Sequence, residues 1–378
     1  MDAPLAKHDA MSDSQEKIAE SVVERNLSGT AVAAHISAET SQRIKNMGLL
    51  CACLVVGIHV NWYPDSGNAC WFLHHVFRRG VCLIAVPFFF VVSGFFLAQH
   101  FEEAHWWGSA VKKRIKSLEV PFYCWTALYI MMSAPFAIIA DHVAGRSFGT
   151  NLIWMHDWVW TLGLDFTRAT MTPLWYLRCL FVFVVLSVAF KFLVLKLKWV
   201  FLIGLAILGL GCEYMPKCFL YDILTEGILP NCGPALGAFY FSLGMLIQTE
   251  HLRLRSTRWL SILNLIGVAL LVVGICYATD DHLGQVMLLL AVGLSMFLVY
   301  CNMPSAKWPS WLTGLSFPIY LVHGPVIFYL DMVVKRLPLS NLLQAIIVYM
   351  GAVLGSVTIS LLLKKFTPGF ARVVFGGR

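Results

Sequence analysis

Three ionisable side chains lie inside long apolar stretches of the sequence. His59 falls in LVVGIHVNWYP, Arg178 in TPLWYLRCLFVF and His323 in SFPIYLVHGPVIFYL. Burying such groups among apolar residues is costly, so inside membrane-spanning segments they often mark functional sites. A histidine can act as a general base near neutral pH, and a guanidinium can stabilise a developing oxyanion. We therefore predict His59, Arg178 and His323 as catalytic residues.

Each of the three also has a structural interpretation. His59 and His323 could be hydrogen-bonding groups between helices, and Arg178 could extend to the membrane surface. Arg178 is predicted within about two turns of the outer end of its span. Glu213, in GLGCEYMP, is predicted at a similar depth and could be its partner. Both interpretations stay open on the sequence alone.

The composition excludes a soluble globular protein. Of the 378 residues, 58% are hydrophobic and 13% are charged, and the mean hydropathy is +0.72. Soluble domains carry about 25% charged residues, so this chain has too little polar surface to enclose its apolar residues. The aromatic content of 13% excludes a disordered chain. The 11 cysteines show no CxxC or zinc spacing, and we predict no metal site.

Apolar stretches of about 20 residues follow one another from Lys45 onward, and this is the length that crosses a bilayer. We predict ten spans, at 46–63, 80–99, 119–140, 173–195, 199–215, 232–249, 259–279, 283–302, 311–331 and 342–363. The predicted fold is an all-α polytopic transmembrane helix bundle. Its parts are a polar tail at 1–42 that we expect to be disordered, a transmembrane domain at 43–365 and a C-terminal tail at 366–378.

The distribution of Lys and Arg predicts how the bundle is oriented. With the N-terminus inside, 20 of the 28 basic residues fall on inner segments, seven fall on outer loops, and Arg178 lies within a span. The outer group includes Arg78 and Arg79. An excess of basic residues marks the cytoplasmic side. We therefore predict that both termini are cytoplasmic. We also predict that the outer surface of the bundle contacts the lipid bilayer and that the protein does not bind nucleic acid.

The stretch VKKRIKSLEVP concentrates positive charge at the predicted cytoplasmic end of the third span. Lys112, Lys113, Arg114 and Lys116 lie within five positions. Such a cluster can simply anchor the span on the cytoplasmic side. It could also bind the phosphates of a cytoplasmic donor. Glu119 follows the cluster, and we predict that it forms a salt bridge with Lys116 or Arg114.

Five phrases of the sequence form a familiar series. They are AVPFFFVVSGFFL, KKRIKSLEVPFYCW, PLWYLRCLFVF, GAFYFSLGMLI and LSFPIYLVHGPVI. In order and spacing they resemble the acyltransferase family 3 membrane proteins, which move acyl groups onto extracytoplasmic carbohydrates. The resemblance covers roughly residues 43–365.

The resemblance implies an acyl-CoA donor, with acetyl-CoA as the default, and a carbohydrate or glycolipid acceptor. It implies an integral protein of a bacterial inner membrane. We expect Ser93, Trp175 and Tyr176, which lie in the matching phrases, to bind substrate. The residues expected to bind the donor are Lys45, Lys112, Lys113, Arg114 and Lys116.

One position departs from the family pattern. Members typically have an arginine, ten residues and then a histidine in the first span. His59 matches the histidine, but Gly48 stands at the arginine position. Lys45 lies fourteen residues before His59, about 21 Å away along a helix and within roughly 40° of the same face. We hypothesise that Lys45 takes part of the role of the missing arginine.

The expected reaction is acyl transfer to an acceptor hydroxyl. His59 would deprotonate this hydroxyl or itself take the acyl group, and Arg178 or His323 would stabilise the oxyanion. The tryptophan-rich loop 141–172 could stack on a sugar or act as an interfacial anchor. The alternatives are a transporter or exporter of a glycan or small metabolite without covalent chemistry, and a structural membrane partner.

Overall fold

The computed structural model describes residues 37–145, 171–211, 233–250 and 303–377. Within these ranges every regular element is a helix, and none is a strand. Residues 1–41 and 42–378 form two compact units. In the first unit, the described residues form the start of a helix. The Ser37 Oγ caps this helix by accepting a hydrogen bond of 3.1 Å from the backbone N–H of Thr40. The remaining elements belong to the second unit.

The helices are numbered here in chain order. They are α1 (Ala38–His59), α2 (Asn68–Phe72), α3 (Ala85–Ala98), α4 (Trp106–Arg114), α5 (Val120–Val143), α6 (Trp175–Val185), α7 (Ser187–Leu197), α8 (Trp199–Gly211), α9 (Gly233–Thr249), α10 (Ser310–Thr313), α11 (Ser316–Val334), α12 (Asn341–Phe366) and α13 (Pro368–Val374). Shorter turns connect some of them: the π-helical turns Leu73–Arg78 and Ile115–Glu119 and the 3-10 turns Val81–Ile84 and Thr172–Leu174.

Several helical runs in the described ranges are long and apolar enough to cross a bilayer. Four pass this test alone, namely Asn68–Ala98, Trp106–Val143, Ser316–Val334 and Asn341–Phe366. A fifth is the pair α6 and α7, if these two helices, bent by 67°, make one span. The predicted spans at 259–279 and 283–302 lie outside the described residues. Ten spans and two cytoplasmic termini therefore stay predictions.

Three predicted spans differ clearly from the observed helices. The first, at 46–63, is observed as α1, which begins at Ala38, inside the tail predicted to be disordered at 1–42, and ends at His59. The second, at 80–99, begins instead at Asn68, because no proline lies between Asn68 and Gly80 and a π-helical turn carries the helix onward. Arg78 therefore lies in this helical run and not in an outer loop. The fourth, at 173–195, is not straight, since the chain bends between Val185 and Ser187.

Large apolar side chains cover the outer surface of α5, α8 and α12. Met131, Val200, Leu354 and Phe366 are each 60% to 70% exposed. In water such a surface would promote association, whereas in lipid only the backbone polar groups need internal partners, and helices supply these. The outward apolar faces and the long apolar helices identify an integral membrane protein.

Helices α3 and α9 pack against each other at two glycines. A Cβ atom on Gly94 would lie 1.9 Å from the carbonyl oxygen of Phe241, and one on Gly244 would lie 2.0 Å from the carbonyl oxygen of Val91. Small residues let helix backbones approach closely within a membrane. This close contact fixes the position of α3, the helix that carries Ser93.

Helices α1, α11 and α12 share a buried core. Ala52 and Val56 of α1 pack with Ile319 of α11 and Ala352 of α12, and all four are completely buried. Small and β-branched side chains at these positions bring the three helices close together. This core holds the two helices that carry His59 and His323 side by side.

The C-terminal segment packs against α5. Trp125 Nε1 donates a hydrogen bond to the carbonyl oxygen of Val374 at 3.0 Å, and Phe375 is fully buried. Gly376 has a φ of 63°, and a Cβ there would lie 2.7 Å from the carbonyl oxygen of Ser117. The segment predicted as a tail at 366–378 thus contains a helix that supports the π-helical turn Ile115–Glu119.

Candidate active site

The structure brings His59 and His323 together. His59 is the last residue of α1, and His323 lies in the middle of α11. Their ring centroids are 5.2 Å apart, with the ring planes tilted by 39°. His323 is completely buried, whereas His59 keeps part of its surface accessible. The two histidines, singled out separately in the sequence, form one pair.

The surroundings of His323 define its tautomer. Its Nδ1 lies 3.2 Å from the backbone carbonyl oxygen of Ile319. Because a carbonyl can only accept, we assign the proton to Nδ1. The Nε2 atom is buried and has no hydrogen-bond partner among the described residues. His323 thus has an unprotonated acceptor nitrogen, and its ring lies beside that of His59.

A cavity of about 310 Å³ lies between α1, α3, α6 and α11. Much of its wall is aromatic, with Phe88 and Phe96 from α3 and Phe317 from α11. Lys45 and Arg114 supply positive charge to the wall. Lys45 is exposed and Arg114 is half-buried, so the charged part of the wall lies at the surface.

Tyr320 connects this cavity to the histidine pair. It lines the cavity, and its ring centroid lies 6.1 Å from that of His323. Its hydroxyl donates a hydrogen bond to the carbonyl oxygen of Pro173, which fixes the side chain. His323 follows Tyr320 by three residues, about 4.5 Å along the helix axis. The histidine pair therefore lies one helical turn beyond the cavity wall.

Two of the three predicted substrate residues line the cavity. The Ser93 Oγ and the Tyr176 hydroxyl are 3.5 Å apart, and the Tyr176 ring lies 5.9 Å from that of Tyr320. Trp175 is not part of the cavity wall, and its ring lies 6.3 Å from that of Phe90. The hydroxyl groups of the wall therefore come from α3, α6, α10 and α11.

The predicted donor-binding cations divide into two groups. Lys45 and Arg114 line the cavity. Lys112, Lys113 and Lys116 are exposed and lie outside its wall. One cation near the start of α1 and one at the end of α4 therefore line the same cavity. The other three cations lie on the surface nearby.

Gly48, at the position of the expected arginine, also lines the cavity. The atom nearest to a Cβ built on Gly48 is the Ser316 Oγ, at 4.0 Å, so the space in front of this glycine is open. Lys45 precedes it by about one turn of α1 and lines the same cavity. Both positions relevant to the lysine hypothesis thus face one space.

Arg178 forms a buried ion pair with Glu119. The predicted pairing of Glu119 with Lys116 or Arg114 is therefore wrong. The physical reason is the π-helical turn that ends at Glu119, because an extra residue in the turn changes the face on which the following side chains lie. Glu119 points into the protein, while Lys116 stays on the surface.

The ion pair also corrects the predicted depth of Arg178. We placed Arg178 near the outer end of its span and Glu119 at the inner end of another, but groups in contact share one depth. The Arg178 guanidinium lies 5.0 Å from the centroid of the Phe122 ring, and it is not part of the cavity wall. Glu213, the partner considered for Arg178, lies outside the described residues.

Two residues beside the histidines are missing from the predictions. Tyr320 could have been found, because it precedes His323 by three residues and such residues share a helix face. Arg78 could not, because the sequence placed it in a loop. Its Nε donates a hydrogen bond of 2.7 Å to the carbonyl oxygen of Ile58, the neighbour of His59.

Two further predictions concern the outer loop and metal binding. Most of the tryptophan-rich loop 141–172 lies outside it. Among the described residues, no group of three or more His, Cys, Asp or Glu side chains is arranged to hold a metal ion.

Comparison with known proteins identifies the family. A family model described as an acyltransferase domain matches residues 44–363, a range that contains the histidine pair and every side chain named in the cavity wall. No curated protein and no solved structure matches the chain. The match extends over most of the sequence and agrees with the apolar helical architecture. The chain therefore belongs to the acyltransferase 3 family and is a membrane acyltransferase.

Proposed function

We propose that the protein transfers an acyl group, acetyl by default, from cytoplasmic acyl-CoA to a hydroxyl of an extracytoplasmic carbohydrate, in the inner membrane of a bacterium. One observation carries the proposal. The cavity has cations at its surface end, and a pair of histidines lies close to its opposite side. Family membership supports acyl transfer, and the charges and apolar wall support this donor.

The cavity suits the parts of an acyl-CoA molecule. Its nucleotide end carries phosphates, which Lys45 and Arg114 can contact by charge-assisted hydrogen bonds. The acyl-bearing arm is long and mostly apolar and fits an aromatic wall such as that of Phe88 and Phe317. The exposed Lys113 and its neighbours would attract the anionic donor without contacting the arm.

The histidine pair provides the acid–base chemistry. The acceptor hydroxyl oxygen attacks the thioester carbonyl carbon while His59 takes the hydroxyl proton. A carbon–oxygen bond forms, the carbon–sulfur bond breaks, and the leaving CoA thiolate takes the proton from His59. His323 keeps its proton at Nδ1 through the contact with Ile319, so its Nε2 can accept a hydrogen bond from the protonated His59.

Arg178 has a positioning role in this proposal. Its pair with Glu119 joins α6, which carries Tyr176, to the π-helical turn that carries Leu118. Both Tyr176 and Leu118 line the cavity. The charge of Arg178 is already balanced by the carboxylate of Glu119, so we do not assign stabilisation of the oxyanion to Arg178.

Labelled donor tests the proposal directly. Purified wild type in proteoliposomes, given radiolabelled acetyl-CoA and a mixture of envelope glycans, should transfer label to a glycan. His59→Ala should lower the rate by about 10²- to 10⁴-fold, the usual contribution of a general base. His100→Ala is the matched control, because this exposed histidine pairs with Glu103 at a helix end.

Two results would contradict the proposal. One is transfer by His59→Ala at the wild-type rate. The other is movement of unmodified glycan across the membrane by wild type with no label transferred, which would identify a transporter.

A further inference from the structure

A second group of basic side chains lies at the end of α1, where this helix finishes at His59. The chain leaves the helix, turns and returns through Asn68–Arg78. Arg78 then donates its Nε hydrogen to the carbonyl oxygen of Ile58 at 2.7 Å. The guanidinium is thereby fixed against the residue that precedes His59.

Most of the hydrogen-bonding capacity of Arg78 remains unused. A guanidinium has five N–H donors, and the bond to Ile58 uses one. Among the described residues, the bond to Ile58 is the one side-chain hydrogen bond that Arg78 makes. The side chain is half-buried, and a guanidinium in such a place normally binds a carboxylate, a phosphate or carbonyl groups.

His74 adds a second unpartnered polar group on the same helical run. Only 9% of its surface is exposed, and its Nδ1 has no hydrogen-bond partner among the described residues. His74 and Arg78 are four residues apart in a π-helical turn, a feature that occurs often at functional sites. His74 lies close enough to interact electrostatically with Arg78 and Arg79 and also with the exposed Asp65, so the charges around it are mostly positive.

This group cannot serve the donor phosphates. Lys45 and Ile58 are thirteen residues apart on one helix, a separation of about 20 Å along its axis. Lys45 belongs to the cavity, whereas Arg78 and His74 are not part of its wall. The histidine pair stands between the two groups of cations, because it lies beyond Tyr320 on one side and next to Ile58 on the other.

We propose that Arg78 and His74 bind an anionic group, a carboxylate or a phosphate, carried by the acceptor carbohydrate. This inference rests on the proposed acyl transfer and specifies its acceptor: an acidic glycan, such as one with uronic acid residues. The free N–H groups of Arg78 hold the anion, and a hydroxyl on the same or the next sugar then reaches His59.

Matched neutral and acidic sugars test the inference. Purified protein in nanodiscs of phosphatidylcholine receives trigalacturonate or the corresponding neutral galactose trisaccharide, and both binding and transfer of labelled acetyl groups are measured. Wild type should bind the acidic sugar more tightly. Arg78→Gln should weaken binding of trigalacturonate by about 10- to 100-fold, the effect of losing a hydrogen bond to a charged group. Its binding of the neutral sugar should not change.

Two control variants separate an anion site from a structural role. Arg336→Gln removes an exposed arginine that is also predicted on the outer side, and it should bind both sugars like wild type. Arg78→Lys keeps the charge and should recover part of the lost binding. Hydrolysis of acetyl-CoA without acceptor reports whether each variant retains its donor site.

The outcomes distinguish failure of this inference from failure of the proposed function. Equal binding of both sugars by wild type, or equal losses for both in Arg78→Gln, would overturn the anion site and leave Arg78 as a cap of α1. Displacement of trigalacturonate by phosphatidylglycerol, with no preference for the acidic sugar as acyl acceptor, would assign the site to a lipid headgroup and overturn it as well. Selective binding without any acyl transfer would contradict the proposed function alone.

Discussion

The buried pair of Arg178 and Glu119 makes a sharp prediction for single residues. Both side chains are nearly inaccessible, so removal of one partner leaves a charge without compensation. Arg178→Met should therefore lower the free energy of unfolding by about 3–5 kcal/mol. Thermal unfolding in detergent measures the change. The double variant Arg178→Met with Glu119→Leu should recover much of the loss, because neither charge is then buried alone.

An exposed pair of the same kind serves as the control. Lys335 Nζ lies 2.5 Å from an Asp331 carboxylate oxygen, and both side chains reach solvent. Lys335→Met should cost no more than about 1 kcal/mol, as exposed pairs usually do. Equal losses of unfolding free energy in Arg178→Met and Lys335→Met would show that the ion pair of Arg178 with Glu119 does not behave as a buried one.

Lys45 gives a prediction about the donor. Its exposed ammonium lies in the cavity wall, where the missing arginine would otherwise supply a cation. Lys45→Ala should raise the KM for acetyl-CoA about two- to fivefold at low salt, the effect of one exposed ionic contact. Lys113→Ala, which removes an exposed lysine outside the wall, should change the KM less. An unchanged KM in Lys45→Ala would end the hypothesis that Lys45 replaces the arginine.

The cost of burial explains which residues could be predicted from the sequence. His59, Arg178 and His323 are unusual in apolar surroundings, and burial makes any such residue conspicuous. Burial alone does not reveal the partner. In the structure His59 and His323 lie next to each other, whereas Arg178 pairs with Glu119. The inward direction of Glu119 depends on a π-helical turn.

At the scale of helices, the glycines between α3 and α9 make a prediction about packing. Gly94→Ala places a methyl group where the Phe241 carbonyl oxygen now lies, so the helices must separate. We expect a loss of about 1–3 kcal/mol in stability from overpacking, measured by thermal unfolding. Transfer activity should fall as well, because α3 carries Ser93 and much of the cavity wall.

Gly204 is the matched control for this substitution. It lies in the apolar helix α8, and a Cβ there would meet no atom within 4 Å. Gly204→Ala should leave stability unchanged or raise it slightly, since alanine favours helix more than glycine does. Similar losses in Gly94→Ala and Gly204→Ala would argue against a tight contact between α3 and α9.

The helices themselves were largely predictable, whereas their irregularities were not. Long apolar runs at 80–99, 311–331 and 342–363 correspond to observed helices. The π-helical turns Leu73–Arg78 and Ile115–Glu119 have no sequence pattern of their own. They nevertheless decide that Arg78 reaches the end of α1 and that Glu119 points inward.

At the scale of the whole molecule, the two groups of cations define a direction. Lys45 and Arg114 lie at the cavity, and Arg78 lies at the other end of α1. Geometry alone does not say which end is cytoplasmic. The predicted bias of 20 inner against seven outer basic residues favours the orientation in which the cavity end is cytoplasmic. In that orientation the proposed acyl-CoA donor reaches the cavity from the cytoplasm, and the proposed acceptor approaches His59 from outside.

Site-directed labelling tests this orientation. Asp65 is exposed in the turn after α1, and Lys113 is exposed near the cavity. Asp65→Cys should react with a membrane-impermeant maleimide in intact spheroplasts, above the wild-type background. Lys113→Cys should react only after the membrane is opened. The reverse pattern would place the cations of the cavity outside the cell, where no acyl-CoA is present, and would contradict both the orientation and the proposed donor.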